Sequence, residues 1–226
     1  MKLDTNTVDI LKNFANINPS LAFKKGNVLK TISLSSGVIA KAKLKQEIES
    51  DFAIYDLGNF ISALSLFEEP FMDLSDDRFV MLTNEDKSAS IQYFYADPAN
   101  IITPPEREFE APKTNLKFRM TKDVLADITK AASVLALPEI VFVADGKNVT
   151  LQTTNSKNIT SNMYNRTIAA TEAVYQIFIK IENLRLIPVD YDVTITPPKS
   201  KTGSGVVYFG SPDVEYWIAA EHHSKF

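Results

Sequence analysis

Residues 7–15 read Thr7-Val8-Asp9-Ile10-Leu11-Lys12-Asn13-Phe14-Ala15, and residues 121–132 read Thr121-Lys122-Asp123-Val124-Leu125-Ala126-Asp127-Ile128-Thr129-Lys130-Ala131-Ala132. At 100° per residue, Val8, Ile10, Leu11, Phe14 and Ala15 form one apolar stripe, and so do Val124, Leu125, Ile128, Ala131 and Ala132. Both stripes lead into strand-like runs, around Leu21–Leu34 and Glu139–Leu151. A second pair follows, Leu57-Gly58-Asn59-Phe60 and Ile181-Glu182-Asn183-Leu184, each opening a short apolar segment. The offset is about 117 residues for the first pair and about 124 for the second, roughly half the chain each time. The expectation is a duplicated unit of helices and sheet.

Working outward, the helix from Asp4 to Ala15 has Asp4, Thr5 or Thr7 as its cap and ends at Asn18-Pro19. Three short strands are expected over Leu21–Ile48, with turns at Lys25-Gly26-Asn27 and Ser35-Ser36-Gly37. Phe52–Tyr55 reads as a strand entering a helix over Leu57–Phe67, which Pro70 closes. Arg78–Leu82 and Ser90–Tyr95 read as a hairpin. Asp97 to Lys113 differs in character: Pro98, Pro104, Pro105 and Pro112 alternate with Glu106, Arg107, Glu108 and Glu110, as in an extended connector.

The second half repeats the plan. A helix capped by Thr121 runs to Leu137, before Pro138. Strands over 140–143 and 149–152 flank the turn Asp145-Gly146. Two more strands are expected over 162–169 and 173–179, then a short helix over Lys180–Ile187 stopped by Pro188. Strands over 192–196 and 205–209 pair across the loop Pro197–Ser204, and 216–220 forms the last strand. The expected class is α+β, with two similar domains each carrying two helices on antiparallel sheet. The expected limits are residues 1–97, a connector over 98–113, and residues 114–226.

The 226 residues are 45% hydrophobic and 23% charged, the balance of a globular chain that buries a sizeable core. The absence of cysteine excludes disulfides, thiol catalysis and cysteine-bound zinc. Met1-Lys2-Leu3-Asp4 opens without an apolar signal region and no apolar run approaches 18 residues, so an intracellular chain without membrane spans is expected. Asn148-Val149-Thr150, Asn158-Ile159-Thr160 and Asn165-Arg166-Thr167 match the glycosylation pattern but read, without a secretory route, as polar strand and turn residues. The net charge of −4 argues against a simple basic nucleic-acid binder. It is uneven: residues 1–112 carry 11 basic and 17 acidic side chains, residues 113–226 carry 13 and 11.

No enzyme constellation emerges. His222 and His223, the only histidines, lie beside Glu221 without a further ligand set and read as a solvated tail. Asp73, Asp76 and Asp77 lack calcium-loop spacing. Gly203-Ser204-Gly205 precedes a strand, not a helix, so it is no dinucleotide fingerprint. Lys201-Thr202-Gly203 resembles a β-lactamase element, but its Ser-x-x-Lys partner is missing. No phosphate loop occurs. Neither a catalytic residue, a metal site nor a cofactor is therefore expected. What remains is the outer face of the repeated helices, where Lys122, Ala126, Lys130 and Ser133 make an uncluttered positive surface, with Lys180 and Arg185 on the second segment and Lys12, near Lys2, in the first half.

Several passages resemble the sliding clamps of T-even-type bacteriophages. They are Leu11-Lys12-Asn13-Phe14-Ala15-Asn16-Ile17-Asn18, then Ala53-Ile54-Tyr55-Asp56-Leu57 with Phe60 and Leu64-Ser65-Leu66, then Ala96-Asp97-Pro98, and finally Ala219-Ala220-Glu221 with Phe226. The match spans the chain but weakens over Ser156–Ala173. The resemblance implies a DNA-clamp fold of two domains per subunit, and a homotrimer closed head to tail into a ring with helices lining the hole. It implies a DNA polymerase processivity factor without enzymatic activity, which encircles double-stranded DNA irrespective of sequence. Its implied partners are DNA polymerase, the clamp loader and late-transcription factors, in the cytoplasm of the infected bacterial host and away from membranes. By position, Lys12, Lys122, Lys130, Lys180 and Arg185 would face DNA, with Lys24, Lys25, Lys199 and Lys201 at the ring face. Leu57–Phe67 adds no lysine to that lining. Ile101, Ile102, Pro104, Val189 and Trp217 would form the pocket for partner peptides, although Trp217 reads equally as core. The rival reading is a non-catalytic structural or assembly protein of similar α+β class.

Overall fold

Asp4 opens the first helix of the computed structural model, which describes residues 1–226 except Glu108, Lys113, Asn115, Ile159, Lys199, Lys201 and Thr202. Its carboxylate accepts the Thr7 N–H at 2.6 Å and so selects itself among the three possible caps for α1, Thr5–Ile17. The buried stripe of α1 is Thr7, Ile10, Leu11, Phe14 and Ile17. Contacts divide the chain into two compact units, Met1–Glu106 and Arg107–Phe226.

In the N-terminal unit, α1 leads to β1 (Leu21–Phe23), β2 (Gly26–Ile32), β3 (Val38–Ile48) and β4 (Phe52–Ile54). Then come α2 (Leu57–Leu64), β5 (Phe71–Asp73), β6 (Phe79–Thr83) and β7 (Ser90–Phe94). The pairs β1–β4 and β2–β3 are antiparallel, and β5, β6 and β7 form a three-stranded antiparallel sheet in that order. Gly26 and Ser36 take positive φ, +117° and +57°, at the two turns expected around them. β3 buries alternate residues from Val38 to Leu44, as a strand with one covered face does. The α2 N-terminus is capped by Asp56, whose carboxylate accepts the Asn59 N–H at 2.8 Å. Leu57, Phe60 and Leu64 of α2 are buried, and α2 packs on α1. Phe23 stacks on Phe52 at 4.2 Å and meets Phe60 edge-on at 6.4 Å.

The C-terminal unit starts with β8 (Lys117–Met120) and α3 (Lys122–Val134), followed by β9 (Glu139–Asp145), β10 (Asn148–Thr154), β11 (Tyr164–Ala170) and β12 (Val174–Lys180). β13 (Tyr191–Thr196), β14 (Val206–Gly210) and β15 (Val214–Ala219) complete it. One antiparallel sheet has the order β11-β10-β9-β12; in a second, β8, β13, β14 and β15 follow one another. The β9–β10 turn is the expected Asp145-Gly146, with Gly146 at φ +84° and the Asp145 carboxylate accepting the Lys147 and Asn148 N–H groups at 2.9 and 2.8 Å. α3 packs Val124, Leu125, Ile128 and Ala132 inward, toward β9, β10 and β11. Phe142, Tyr191, Phe209 and Tyr216 centre the core, with Tyr191 edge-on to both Phe209 and Tyr216 at 6.0 Å.

The class is α+β, with antiparallel sheets and three α-helices among the described residues. The short helix expected over Lys180–Ile187 is instead a single 3₁₀ turn, Ile181–Asn183. The cause is at its start. α2 has the Asp56 carboxylate for an orphan N–H, whereas Lys180, at the equivalent position, offers no acceptor and stays in β12, paired with Glu139. β5 and β8, three and four residues long, were not among the strands expected from the sequence. The histidine tail is not simply solvated either. Lys225 and Gln176 exchange backbone hydrogen bonds at 2.8 and 2.9 Å, and the His223 ring lies 4.3 Å from that of Phe178. Its Nε2 is 3.5 Å from Glu139 Oε1. Two members of the expected connector, Glu108 and Lys113, lie outside the described residues.

Candidate nucleic-acid interface and apolar grooves

α3 presents Lys122, Asp123, Ala126, Asp127, Lys130, Ser133 and Val134 to solvent. The sequence reading weighed the lysines and not the two aspartates between them. Asp127 is neutralised by Arg166 of β11, whose guanidinium pairs with its carboxylate. Lys122 opens the helix after its cap, Thr121, and the Asp190 carboxylate accepts the Lys122 N–H at 2.9 Å and the Arg119 guanidinium at 3.0 Å. These two contacts, the backbone one first, hold the Asp190 carboxyl below its ordinary range. The Asp190 charge thereby occupies the N–H end of the helix dipole, and the Lys122 side chain is exposed. Lys130 is exposed and forms no ion pair with a described residue.

The other candidates are more compromised. Lys12 is on the exposed face of α1, but its ammonium is 3.4 Å from Asp9. Lys180 is 3.6 Å from Glu182, and the Arg185 Nε–H donates to the Glu182 carbonyl at 2.8 Å, so Lys180 and Arg185 converge on one residue. Lys2 pairs with Glu69 at 2.6 Å. Lys24 pairs with Asp51 at 2.9 Å, and the same carboxylate accepts the Lys25 N–H at 2.7 Å. The Lys25 backbone bond, then the Lys24 side-chain bond, lower Asp51, and the Asp51 hydrogen bond raises Lys24. Lys199 and Lys201 lie outside the described residues. The faces of α1 and α3 thus carry lysines and aspartates in equal number, with Lys12 paired to Asp9 and Asp127 paired to Arg166 from β11.

Of the expected pocket residues, Ile101 is buried and Ile102 is half in water, its carbonyl accepting the Asn18 Nδ2–H at 3.2 Å. Pro104 and Val189 are half-buried. Trp217 is buried on β15, its ring 5.2 Å from Tyr208 and 5.6 Å from Phe109, and its Nε1–H points at the Glu110 carbonyl at 3.4 Å. A feature the sequence did not announce is an apolar groove of about 450 Å³ where α3 ends, lined by Ala132, Ser133, Ala136, Leu137, Ile181 and Leu184 among others. No cluster of three or more His, Cys, Asp or Glu with metal-holding geometry occurs among the described residues, and none of their helices is long and apolar enough to cross a membrane.

Residues 2–102 match the family model of the DNA polymerase processivity factor. The chain is similar to the sliding clamp of Vibrio phage KVP40, 28% identical over 227 residues that cover 98% of this chain and 99% of the relative. It is similar to the sliding clamp of Escherichia phage RB69, 26% identical over 235 residues that cover 99% and 98%. Among solved structures, PCNA from Thermococcus kodakaraensis superposes with a TM-score of 0.68 at 16% identity, covering 98% of this chain and 99% of that one, a likeness of fold. The end-to-end correspondence in sequence makes this chain similar throughout to the phage sliding clamps, it shares the DNA-clamp fold, and its function is that of a DNA polymerase processivity factor rather than an enzyme.

Proposed function

We propose that three copies of this chain close head to tail into a ring around duplex DNA and hold a DNA polymerase on its template by topology, with little help from tight binding. The observation that carries this reading is the match to a phage sliding clamp over 98% of the chain. In this reading residues 1–97 and 114–226 are the two clamp domains and 98–113 the connector. The free edges of β7 and β11, at the ends of their sheets, are suited to pairing between neighbouring copies. A heterologous contact of that kind closes a ring when its rotation permits.

Lys12, Lys122, Lys130, Lys180 and Arg185 are the residues assigned to phosphate contact, without base readout. Their carboxylate neighbours support the assignment rather than weaken it. A pore that must slide gains from few, partly neutralised contacts, because each full phosphate contact adds to a salt-dependent grip. Ile101, Ile102, Pro104, Val189 and Trp217 are assigned to partner peptides, brought in turn by the polymerase, a clamp loader and late-transcription factors in the cytoplasm of the infected host. An apolar anchor in such a pocket would carry most of the affinity.

Primer extension under single-encounter conditions tests the proposal. With the cognate loader and ATP on a closed circular template, this chain should lengthen the products made per polymerase binding event manyfold. Products of unchanged length, from a polymerase and loader shown to be active, would overturn it.

A further inference from the structure

The sheet that holds β13, β14 and β15 has two unlike faces. Val207, Phe209, Tyr216 and Ile218 are fully buried in the core. Tyr208 and Trp217, paired directly across β14 and β15, alternate with them and so lie on the opposite face. Such a face ordinarily carries polar side chains to water, yet these two rings are only 7% and 8% exposed. Together they form a platform. Tyr208 lies along the sheet over Gly210, where a Cβ would stand 2.5 Å from its hydroxyl, and that hydroxyl donates to Glu215 Oε1 at 2.6 Å. The Trp217 ring meets the Tyr208 ring at 5.2 Å.

Part of the cover over this platform comes from the connector. The Phe109 ring lies 5.6 Å from that of Trp217, tilted by 51°, and the Arg107 guanidinium lies over the Phe109 ring at 5.2 Å. Phe109 is half-buried, whereas Arg107, Glu110 and Ala111 around it are exposed. Between Pro105 and Pro112 the described residues form no helix or strand. The hydrogen bond that accompanies the ring contact, from Trp217 Nε1–H to the Glu110 carbonyl, is 3.4 Å, beyond the usual range. An aromatic side chain on a weakly tied, irregular segment therefore sits on an aromatic platform outside the core.

We propose that Phe109 is a resident plug of the partner-peptide pocket, displaced when an incoming peptide seats its own aromatic side chain on Trp217. The proposal rests on the assignment of Trp217 to that pocket and adds a closed and an open state of the connector. The closed state keeps the platform from water in the free chain. In the open state the same ring contact passes to the partner. Binding then exchanges one aromatic pair for another and stays reversible, as suits partners that come in turn. An aromatic pair of this kind favours the closed state by a factor of about two to ten. The platform is then open about one-third to one-tenth of the time, and apparent affinity falls by that fraction. Loss of the Phe109 ring should therefore tighten binding about three- to tenfold.

Trp217 is the only tryptophan of the chain, so 5-fluorotryptophan gives a single fluorine resonance at the platform. The probe is the cognate polymerase without DNA, its dissociation constant read by surface plasmon resonance. Phe109→Ala should lower that constant about three- to tenfold, and Phe109→Leu should fall between it and the wild type. In the free Phe109→Ala chain acrylamide should quench Trp217 more strongly, with an unchanged circular dichroism spectrum. A constant for Phe109→Ala equal to or larger than that of the wild type, in a complex that does move the fluorine resonance, makes Phe109 a fixed part of the surface. That result overturns the plug and leaves the pocket reading standing. A polymerase that binds the wild-type chain and leaves the fluorine resonance unmoved overturns the assignment of Trp217 to the pocket itself.

Discussion

Replacing Lys130 by alanine tests whether α3 faces DNA, and the structure sets the size of the effect. Lys130 is exposed and unpaired with any described residue, so its ammonium is available to a phosphate at no cost in competing ion pairs. Each phosphate contact contributes about −0.9 to the slope of log affinity against log salt, so raising salt from 50 to 200 mM weakens one contact about threefold. With one Lys130 per copy, three copies could lose up to three contacts, and the slope should become shallower by at most about 2.7. The assay is fluorescence anisotropy on a short linear duplex over that salt range, with circular dichroism to show that the fold is unchanged. A clear reduction in slope places α3 against the phosphates. A slope equal to that of the wild type would refute the assignment, because no rearrangement of weak contacts restores counterion release once the charge is gone.

Asp9→Asn should act with the opposite sign: it frees Lys12 from its partner at 3.4 Å, so affinity for the same duplex rises and the salt slope steepens, and an unchanged slope would place α1 away from DNA. Phe142→Ala removes a ring that is 1% exposed and lies 5.6 Å from Phe118 and 6.4 Å from Phe209, so chemical denaturation should show a loss of about 3–5 kcal/mol from the C-terminal unit; a loss below about 1 kcal/mol would mean that the core is not packed around it. Burial pushes the Tyr175 phenol up to about 12 and, as the largest cause, raises Tyr191, Tyr208 and Tyr216 further. Since these folded-state values exceed the unfolded value of about 10, their contribution is fully present below pH 10 and is lost progressively above it, the Tyr175 share by about pH 12 and the others at still higher pH. Thermal melting temperatures should therefore fall across that window, with the phenolate absorbance of these four appearing only on unfolding. Ionisation of all eight tyrosines near pH 10 in an intact fold would contradict their burial.

The helices that frame the candidate interface were legible because their apolar stripes run for three turns and their caps, Asp4 and Thr121, are acceptor side chains at the right place. The Asp145-Gly146 turn was legible for a similar local reason: the residue that tolerates φ +84° is written at the position that needs it. The second helix of the C-terminal unit failed because the apolar pattern of residues 181–184 was weighed without its cap. Lys180 in place of an aspartate is the difference between a helix and one turn, and that difference opens the groove beside α3. The charge of the interface was only half legible. The Lys12–Asp9 pair is written as an i, i+3 spacing, but Arg166 reaches Asp127 from another strand, and Asp190 reaches the start of α3 from a distant loop. Such contacts depend on sheet order, which no local pattern contains. The same holds for Trp217, whose neighbours Tyr208, Phe109 and Glu110 are set by the β14–β15 register and by the returning chain.

The central claim is that this clamp is held on DNA by linkage. The direct test is its retention after loading onto nicked circular DNA, compared with the same DNA cut once by a restriction enzyme, both followed by gel filtration at a salt concentration that suppresses ordinary electrostatic binding. The account predicts that the clamp stays with the circle and is lost from the linear form by sliding off its ends. Equal retention on both, or prompt loss from both after verified loading, would contradict it.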